Sequence, residues 1–458
     1  MTRFCFAPLL ATVFGGNLLW ASADENSLES VGVLGRWEVD RVWAGHPVGF
    51  FLLTAGDSQY VAYYDADRVL TVASRKLSEN GWVKQKLDSR VGWDSHNNIV
   101  MARDTTGRLH LAGNMHNQPL TYFRTREPDD ISTFEAIHRM VGHDEQRCTY
   151  PQFITRPDGT LIFFYRLGAS GRGKQFFNIY DANSQSWRRL FDEPLWDGGE
   201  EMSAYPSGPK LGPDGWWHVC WMWRNSGDCT TNHTLCYARS PDLERWESIA
   251  GRAICLPITP DNPHVIVDAT PVGGGMINVG HRVGFDHQRR PILSYHRYDP
   301  EGRSQIFAAR WENDFWNIRP ISSWDYRWEF GGHGTIVVEI VASEIRPAGP
   351  GLLQQDFHHV RYGSGRWILD EETLTIKELR SIAPALPAEL RKVESSFPGI
   401  GVRTASDAGR APRGRYILRW ETLPANRDRP RDPPYPPPSR LEVILLEDLE
   451  IISSENEK

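Results

Sequence analysis

The segment Ile99–Val100–Met101–Ala102–Arg103–Asp104–Thr105–Thr106–Gly107–Arg108–Leu109–His110–Leu111–Ala112–Gly113 reads as strand, Asp-Thr-Thr-Gly turn, strand. Asp and Gly suit a tight reversal, and the flanks are apolar. The unit recurs along the chain. Arg156–Pro157–Asp158–Gly159 leads into Thr160–Leu161–Ile162–Phe163–Phe164–Tyr165, and Gly212–Pro213–Asp214–Gly215 leads into Trp216–Trp217–His218–Val219–Cys220–Trp221. A more distant copy, Val283–Gly284–Phe285–Asp286–His287, precedes Pro291–Ile292–Leu293–Ser294–Tyr295–His296. Helical patterning is confined to Pro387–Val393, with acidic residues early and basic residues late. Short strands between turn residues point to an all-β sandwich, barrel or propeller.

A second ruler selects among these. Trp82, Phe134, Trp187, Trp246, Trp316 and Trp367 read as equivalent closing aromatics, with spacings of 52, 53, 59, 70 and 51. Four-stranded propeller blades repeat at about 40 to 50 residues plus insertions. Arg415–Trp420 and Leu441–Leu446 supply a further unit, closed by an N-terminal strand near Val31–Val39, which removes both free sheet edges. The expectation is a single all-β, seven-bladed β-propeller over residues 24–458. The Pro-rich run from Arg429 to Pro438 reads as a solvated insertion in the last blade.

The chain has 458 residues and a net charge of -7, which lacks the basic footprint of a nucleic-acid partner. Its 18 tryptophans can fill a β core or stack on sugars. Met1–Ala23 has the pattern of a signal peptide: Arg3, an apolar run from Cys5 to Leu19, and Ala21–Ser22–Ala23. No later stretch approaches transmembrane length. The expectation is a secreted or periplasmic monomer with no membrane partner. Of the cysteines beyond Cys5, five remain. Cys220, Cys229, His233 and Cys236 match no standard zinc spacing and read as paired or buried thiols.

The polar residues at strand ends carry the chemistry. His96 and His116 bracket the opening hairpin, twenty positions apart, each followed by Asn (Asn97, Asn117). Imidazoles move protons near neutral pH. Tyr150–Pro151 is followed by a strand, an Asp-Gly turn, a strand and Arg166; Tyr205–Pro206 is followed in the same way by Arg224. Three consecutive blades thus aim His/His, Tyr/Arg and Tyr/Arg at one region. Arginine grips carboxylates with a planar fork, and a guanidinium favours a neighbouring phenolate. That set fits proton abstraction beside a carboxylate, as at C5 of a uronic acid, followed by β-elimination. It needs no cofactor. Glycoside hydrolysis usually requires two flanking carboxyl groups. Asp94, Glu200 and Glu201 lie near but do not form such a pair by spacing, and Ser240–Trp246 is a degraded echo of a sialidase-type Asp box.

Gly92–Asn97, Thr149–Tyr150–Pro151, Tyr205–Pro206, Trp223–Arg224, Thr231–His233 with Tyr237–Ser240, and Val283–Asp286 with Ser294–His296 resemble the BNR-repeat-containing family. Its studied members include ulvan lyases and rhamnose-α-1,4-glucuronate lyases. The resemblance runs from about Gly32 to Arg310. It implies a seven-bladed propeller whose catalytic set corresponds to His96, His116, Tyr150 and Arg166, with Tyr205 and Arg224 bordering the same cleft; these two, with Asn97 and Asn117 beside the histidines, are read as substrate-binding. It implies a uronic-acid polysaccharide as partner and is compatible with a structural divalent cation, though no metal ligands stand out. The reading is a polysaccharide lyase on a rhamnose–glucuronate linkage. The alternatives are an α-L-rhamnosidase on rhamnosyl-glucuronate and a carbohydrate-binding propeller without catalysis.

Overall fold

The computed structural model describes residues 32–382 and 384–447. The signal-peptide segment lies outside the described residues. Within them the chain forms seven antiparallel sheets. The sheets follow one another in sequence, and neighbouring sheets pack through their inner strands. Phe51–Ala55 touches Val100–Arg103, which touches Cys148–Thr155; Trp217–Arg224 touches Arg282–Phe285; and Gly401–Ser406 returns to Phe51–Ala55. This is a β-propeller.

Ring closure follows the expected route. Val33–Val42 pairs antiparallel with Ser439–Leu446, from Val33 opposite Leu446 to Val42 opposite Ser439. The last sheet therefore runs Val33–Val42, Ser439–Leu446, Arg415–Thr422, Gly401–Ser406. Both ends of the described chain share one sheet.

The repeated Asp-Gly turn has a local cause. The Asp104 carboxylate accepts the N–H groups of Thr106 and Arg108 at 2.8 and 2.9 Å, and Gly107 takes a left-handed φ of 89°. Asp158 accepts from Thr160 and Asp214 from Trp216 in the same way. Two turns are further anchored by a buried histidine. His110 bonds Tyr122 and Asp104; His218 bonds Tyr237 and Asp214.

Middle strands are apolar on both sides because each sheet packs against a neighbour on both faces. Ser58–Tyr64 is buried throughout, and Trp217–Arg224 is buried up to its last residue. Outer strands face water, and Val83–Arg90 shows it in its mostly exposed side chains. The core therefore lies in the seams. Trp196 and Trp221, both fully buried, meet at 5.5 Å in the seam that also holds Phe164, Phe177 and Trp246.

Two expectations need correction. Trp82, Phe134, Trp187, Trp246 and Trp316 do stand in or beside outer strands, but Trp367 lies on Gly363–Asp370, one strand further in. The outer strand of that sheet, Ile376–Arg380, is wholly exposed and has no aromatic residue to bury. The Pro-rich run does lie between Arg415–Thr422 and Ser439–Leu446, but it is not merely solvated. Tyr435 packs on Trp43 and Trp93 with ring centroids 5.5 and 5.6 Å apart. The short helix spans Ala388–Arg391. The five described cysteines are free thiols, four buried and Cys255 exposed. No helix among the described residues is long and apolar enough to cross a membrane.

Deleting the chain through Val42 should open the edge of Ser439–Leu446. Thermal melting and size-exclusion chromatography should then show a non-cooperative, self-associating protein. Trp221→Ala should cost about 3–5 kcal/mol in denaturant unfolding, the range for a buried aromatic replaced by Ala.

Candidate active site

The opening hairpin folds as Val100–Arg103 paired with Leu109–Ala112, and it brings His96 and His116 together with ring centroids 4.4 Å apart. The two are not on equivalent positions of one sheet, however. His116–Gln118 crosses over and pairs with the inner edge of the next sheet, His116 opposite Thr149. The histidine pair therefore straddles a seam between blades.

Tyr150 reaches the pair through a bulge. Thr149 faces Arg166 and Gln152 faces Phe164, so Tyr150 and Pro151 stand against the single residue between. A position next to Thr149 would otherwise point to the other face of the strand. Tyr150 takes a left-handed φ of 56°, and the bulge re-aims its ring. It stacks on His116 at 5.7 Å and lies 6.0 Å from His96. Tyr205 needs no such device. Ser203 faces Arg224, and Tyr205, two residues on, keeps the same side. Its carbonyl is held by the buried His281 Nε2 at 3.1 Å.

The two arginines meet at the tyrosines. The Arg166 guanidinium lies 4.8 Å from the Tyr150 ring and 5.6 Å from the Tyr205 ring, and Nη1 donates to the Tyr205 hydroxyl at 3.0 Å. Arg224 lies 5.1 Å from the Tyr205 ring. Ser170 also bonds the Tyr205 hydroxyl. Arg166 is 2% exposed, yet it bonds the Tyr205 hydroxyl and the Gly168 carbonyl and, among the described residues, forms no ion pair with a carboxylate. Arg224 likewise bonds the carbonyls of Ser226 and Gly227. Two cations without an acid beside them form a seat for an anion.

Asp94 organises the histidines. Oδ1 contacts His96 Nδ1 at 2.8 Å and Oδ2 contacts His116 Nδ1 at 2.5 Å. Asp428, from the loop before the Pro-rich run, places Oδ2 3.3 Å from His96 Nδ1. Burial opposes charge on His96, but Asp428 and Asp94 prevail and raise its pKa to about 9. Burial outweighs Asp94 at His116, and His96 and Arg166 add to it, so its pKa is lowered. Asp94 stays ionised: the two histidines outweigh its burial. At neutral pH His96 is thus an imidazolium and His116 a neutral imidazole whose Nδ1 is held by a carboxylate.

The tyrosines diverge as well. Burial raises Tyr150 despite Arg166, so it keeps its proton. At Tyr205 burial is overcome by Arg166, Arg224 and the bonds from Ser170 and Arg166, and the pKa is lowered. The phenolate-favouring effect expected at both Tyr/Arg pairs therefore acts at Tyr205 and fails at Tyr150, where burial dominates.

Asn97 is buried and braces the loop, its carbonyl accepting from the Tyr64 hydroxyl at 2.8 Å. Asn117 lies at the rim; its N–H donates to Thr149 Oγ1 and its side-chain oxygen accepts from Arg147. Sequence reading noted Asp94 only as a nearby acid and did not single out Asp428. The Asp94-Ser-His96 spacing was a signal for the first; nothing local marks the second. Asp94, His96 and His116 are the metal-capable group among the described residues. Their contacts do not fit one. Two ligands each about 2.1 Å from a tetrahedral ion stand well over 3 Å apart, whereas the carboxylate–imidazole contacts are 2.5 and 2.8 Å, hydrogen-bond distances. The cysteines and His233 form no such group among the described residues.

A family model described as "BNR repeat-containing family member" matches residues 58–324, more than half of the chain. The long isoform of ulvan lyase from Alteromonas sp. (strain LOR) is 51% identical over 41 residues, 9% of this chain and 4% of that protein. The long isoform from Glaciecola sp. (strain KUL10) is 46% identical over 64 residues, 14% of this chain and 6% of that protein. These matches span under a tenth of either relative. Among solved structures, polysaccharide lyase Uly1 superposes with a TM-score of 0.61 at 14% identity, over 91% of this chain and 100% of that one. A PL25 ulvan lyase bound to -[GlcA(1-4)Rha3S]- gives 0.59 at 14% identity, over 90% and 95%. At that identity the shared property is the fold.

Imidazole NMR titration should separate the two histidines. His96 should titrate near pH 9 and His116 below the ordinary value of about 6.5. Because the folded-state pKa of His96 is raised, its contribution to stability is full below about pH 6.5 and is lost as pH rises through about 9. Coincident titration of both rings near 6.5 would refute the assignment.

Proposed function

The chain belongs to the BNR repeat-containing family, and on that premise we propose that it is a polysaccharide lyase that cleaves a uronate-containing polymer by β-elimination. The observation that carries the reading is the anion seat of Arg166 and Arg224 beside a proton-accepting His116 and a proton-holding Tyr150.

In this reading the uronate carboxylate sits against the arginines and the His96 imidazolium. Their charge stabilises the enolate-like anion that develops when C5 loses its proton. His116, fixed at Nδ1 by Asp94, takes that proton on Nε2. The electron pair forms the C4–C5 double bond as the C4–O bond breaks. Tyr150, stacked on His116, gives its proton to the departing oxygen. Tyr205 holds Arg166 in place through its hydroxyl. No cofactor enters these steps.

The finer proposal is a rhamnose–glucuronate linkage. It is supported by the ulvan lyases among the relatives and by the oligosaccharide bound in a solved ulvan lyase of similar fold. We read the protein as exported, in keeping with a polymer too large to enter a cell.

Incubation with ulvan, and separately with gum arabic, should give near-UV absorbance from the unsaturated uronate. His116→Gln and Tyr150→Phe should each reduce kcat by about 10²–10⁴-fold, the span of general acid–base contributions. Arg166→Ala should abolish turnover in a folded protein. Free rhamnose without absorbance would mean a hydrolase; binding without either would mean a lectin-like propeller. Full activity in any of the three variants would sink the residue assignment.

A further inference from the structure

We propose that Asp428 is a positioning residue, on the loop that leads into the Pro-rich run, that ties this loop to His96 and decides which of the two imidazoles keeps the proton. The proposal rests on the functional reading above for its consequence in turnover, but its structural core is independent of it.

The carboxylate is fully used. Oδ1 accepts the Ser95 N–H at 3.0 Å and the Thr335 hydroxyl at 3.1 Å; Oδ2 accepts the Thr335 N–H at 3.1 Å and faces His96 Nδ1 at 3.3 Å. It thus joins three segments: the one before the opening hairpin, the approach to Ile340–Ala342, and its own loop. Arg427 and Asp428 take left-handed φ values of 50° and 60°. Two such residues in succession are costly for non-glycine side chains, so the surrounding contacts must hold them. Gly334 lets the loops approach this closely, since a Cβ there would stand 2.9 Å from the Arg427 carbonyl. Further along, Tyr435 is docked on Trp43 and Trp93, and the Arg68 guanidinium lies 4.0 and 4.5 Å from those two rings. The loop is held at both ends.

Symmetry explains why a second carboxylate matters. Asp94 offers one oxygen to each histidine, with the shorter contact to His116, so it gives His96 no advantage in holding the charge. Asp428 stands beside His96 and not beside His116. The other charged or titratable groups acting on the pair are Asp94, Tyr150 and Arg166, with His46 behind Trp93. Arg166 adds positive charge on the His116 side. The proton therefore rests on His96, which leaves His116 free to accept one.

The test uses the full chain with Asp428→Asn, which keeps the size of the side chain and an acceptor for Ser95 and removes the charge. Imidazole NMR should show the His96 midpoint falling from about 9 toward the ordinary value. In the lyase assay the alkaline limb of kcat should move down in parallel, with KM changed less than kcat. Thr335→Ala, which weakens the loop tie while leaving the charge, should leave the His96 midpoint where it is. Asp428→Ser gives the same reading if the amide variant does not fold. A folded, charge-neutral variant whose His96 midpoint is unmoved would overturn the proposal, as would an equal shift in Thr335→Ala. If the unmodified protein produces no absorbance on any uronate polymer, the functional reading fails, and the titration still decides the role of Asp428.

Discussion

One carboxylate shared between two imidazoles is the constraint on which this site depends. Asp94 bonds both Nδ1 atoms, so neither ring can turn and neither can be considered alone. Two like rings at 4.4 Å would repel if both were charged. The arrangement tolerates one proton between them and gains a division of labour. The tyrosines repeat the logic. Tyr150 and Tyr205 both stand near Arg166, but burial dominates at one and the guanidinium pair at the other. Two pairs of identical side chains are thereby set apart in how tightly each member holds its proton.

The propeller supplies the geometry this requires. Three successive sheets deliver polar residues near the ends of their inner strands, and these converge. His96 and His116 come from the segment around one hairpin, Tyr150 and Arg166 from the next sheet, Tyr205 and Arg224 from the one after. Rigid strands set the positions, and small irregularities adjust them. The bulge at Tyr150 and the crossover at His116–Gln118 are both such adjustments. Neither disturbs the aromatic seams beneath.

Much of this was legible in the sequence because it is local. The Asp-Gly turns carry their own hydrogen-bond logic, so blades could be read off one at a time. A hairpin of known length brings its flanks together, which identified His96 and His116. The shared layout of Tyr150/Arg166 and Tyr205/Arg224 survived folding with a one-residue offset that the bulge absorbs. What was not legible depends on distance or on competing terms. Asp428 is 333 positions from Ser95, just before a stretch whose composition suggests only a solvated loop. The opposite shifts of the tyrosines hinge on depth of burial, which spacing does not report. Trp367 misled because its sheet has an exposed outer strand with no aromatic at the usual place.

Ring closure by Val33–Val42 and Ser439–Leu446 has a consequence for the order in which the molecule matures. These strands lie about as far apart in sequence as the described chain allows, so their pairing carries the largest loop-closure cost of any sheet. The loop bearing Asp428 is an insertion in that same sheet. Asp428 precedes Ser439–Leu446 in the chain, so the second carboxylate of the cleft and the strand that closes the ring are carried by one continuous segment.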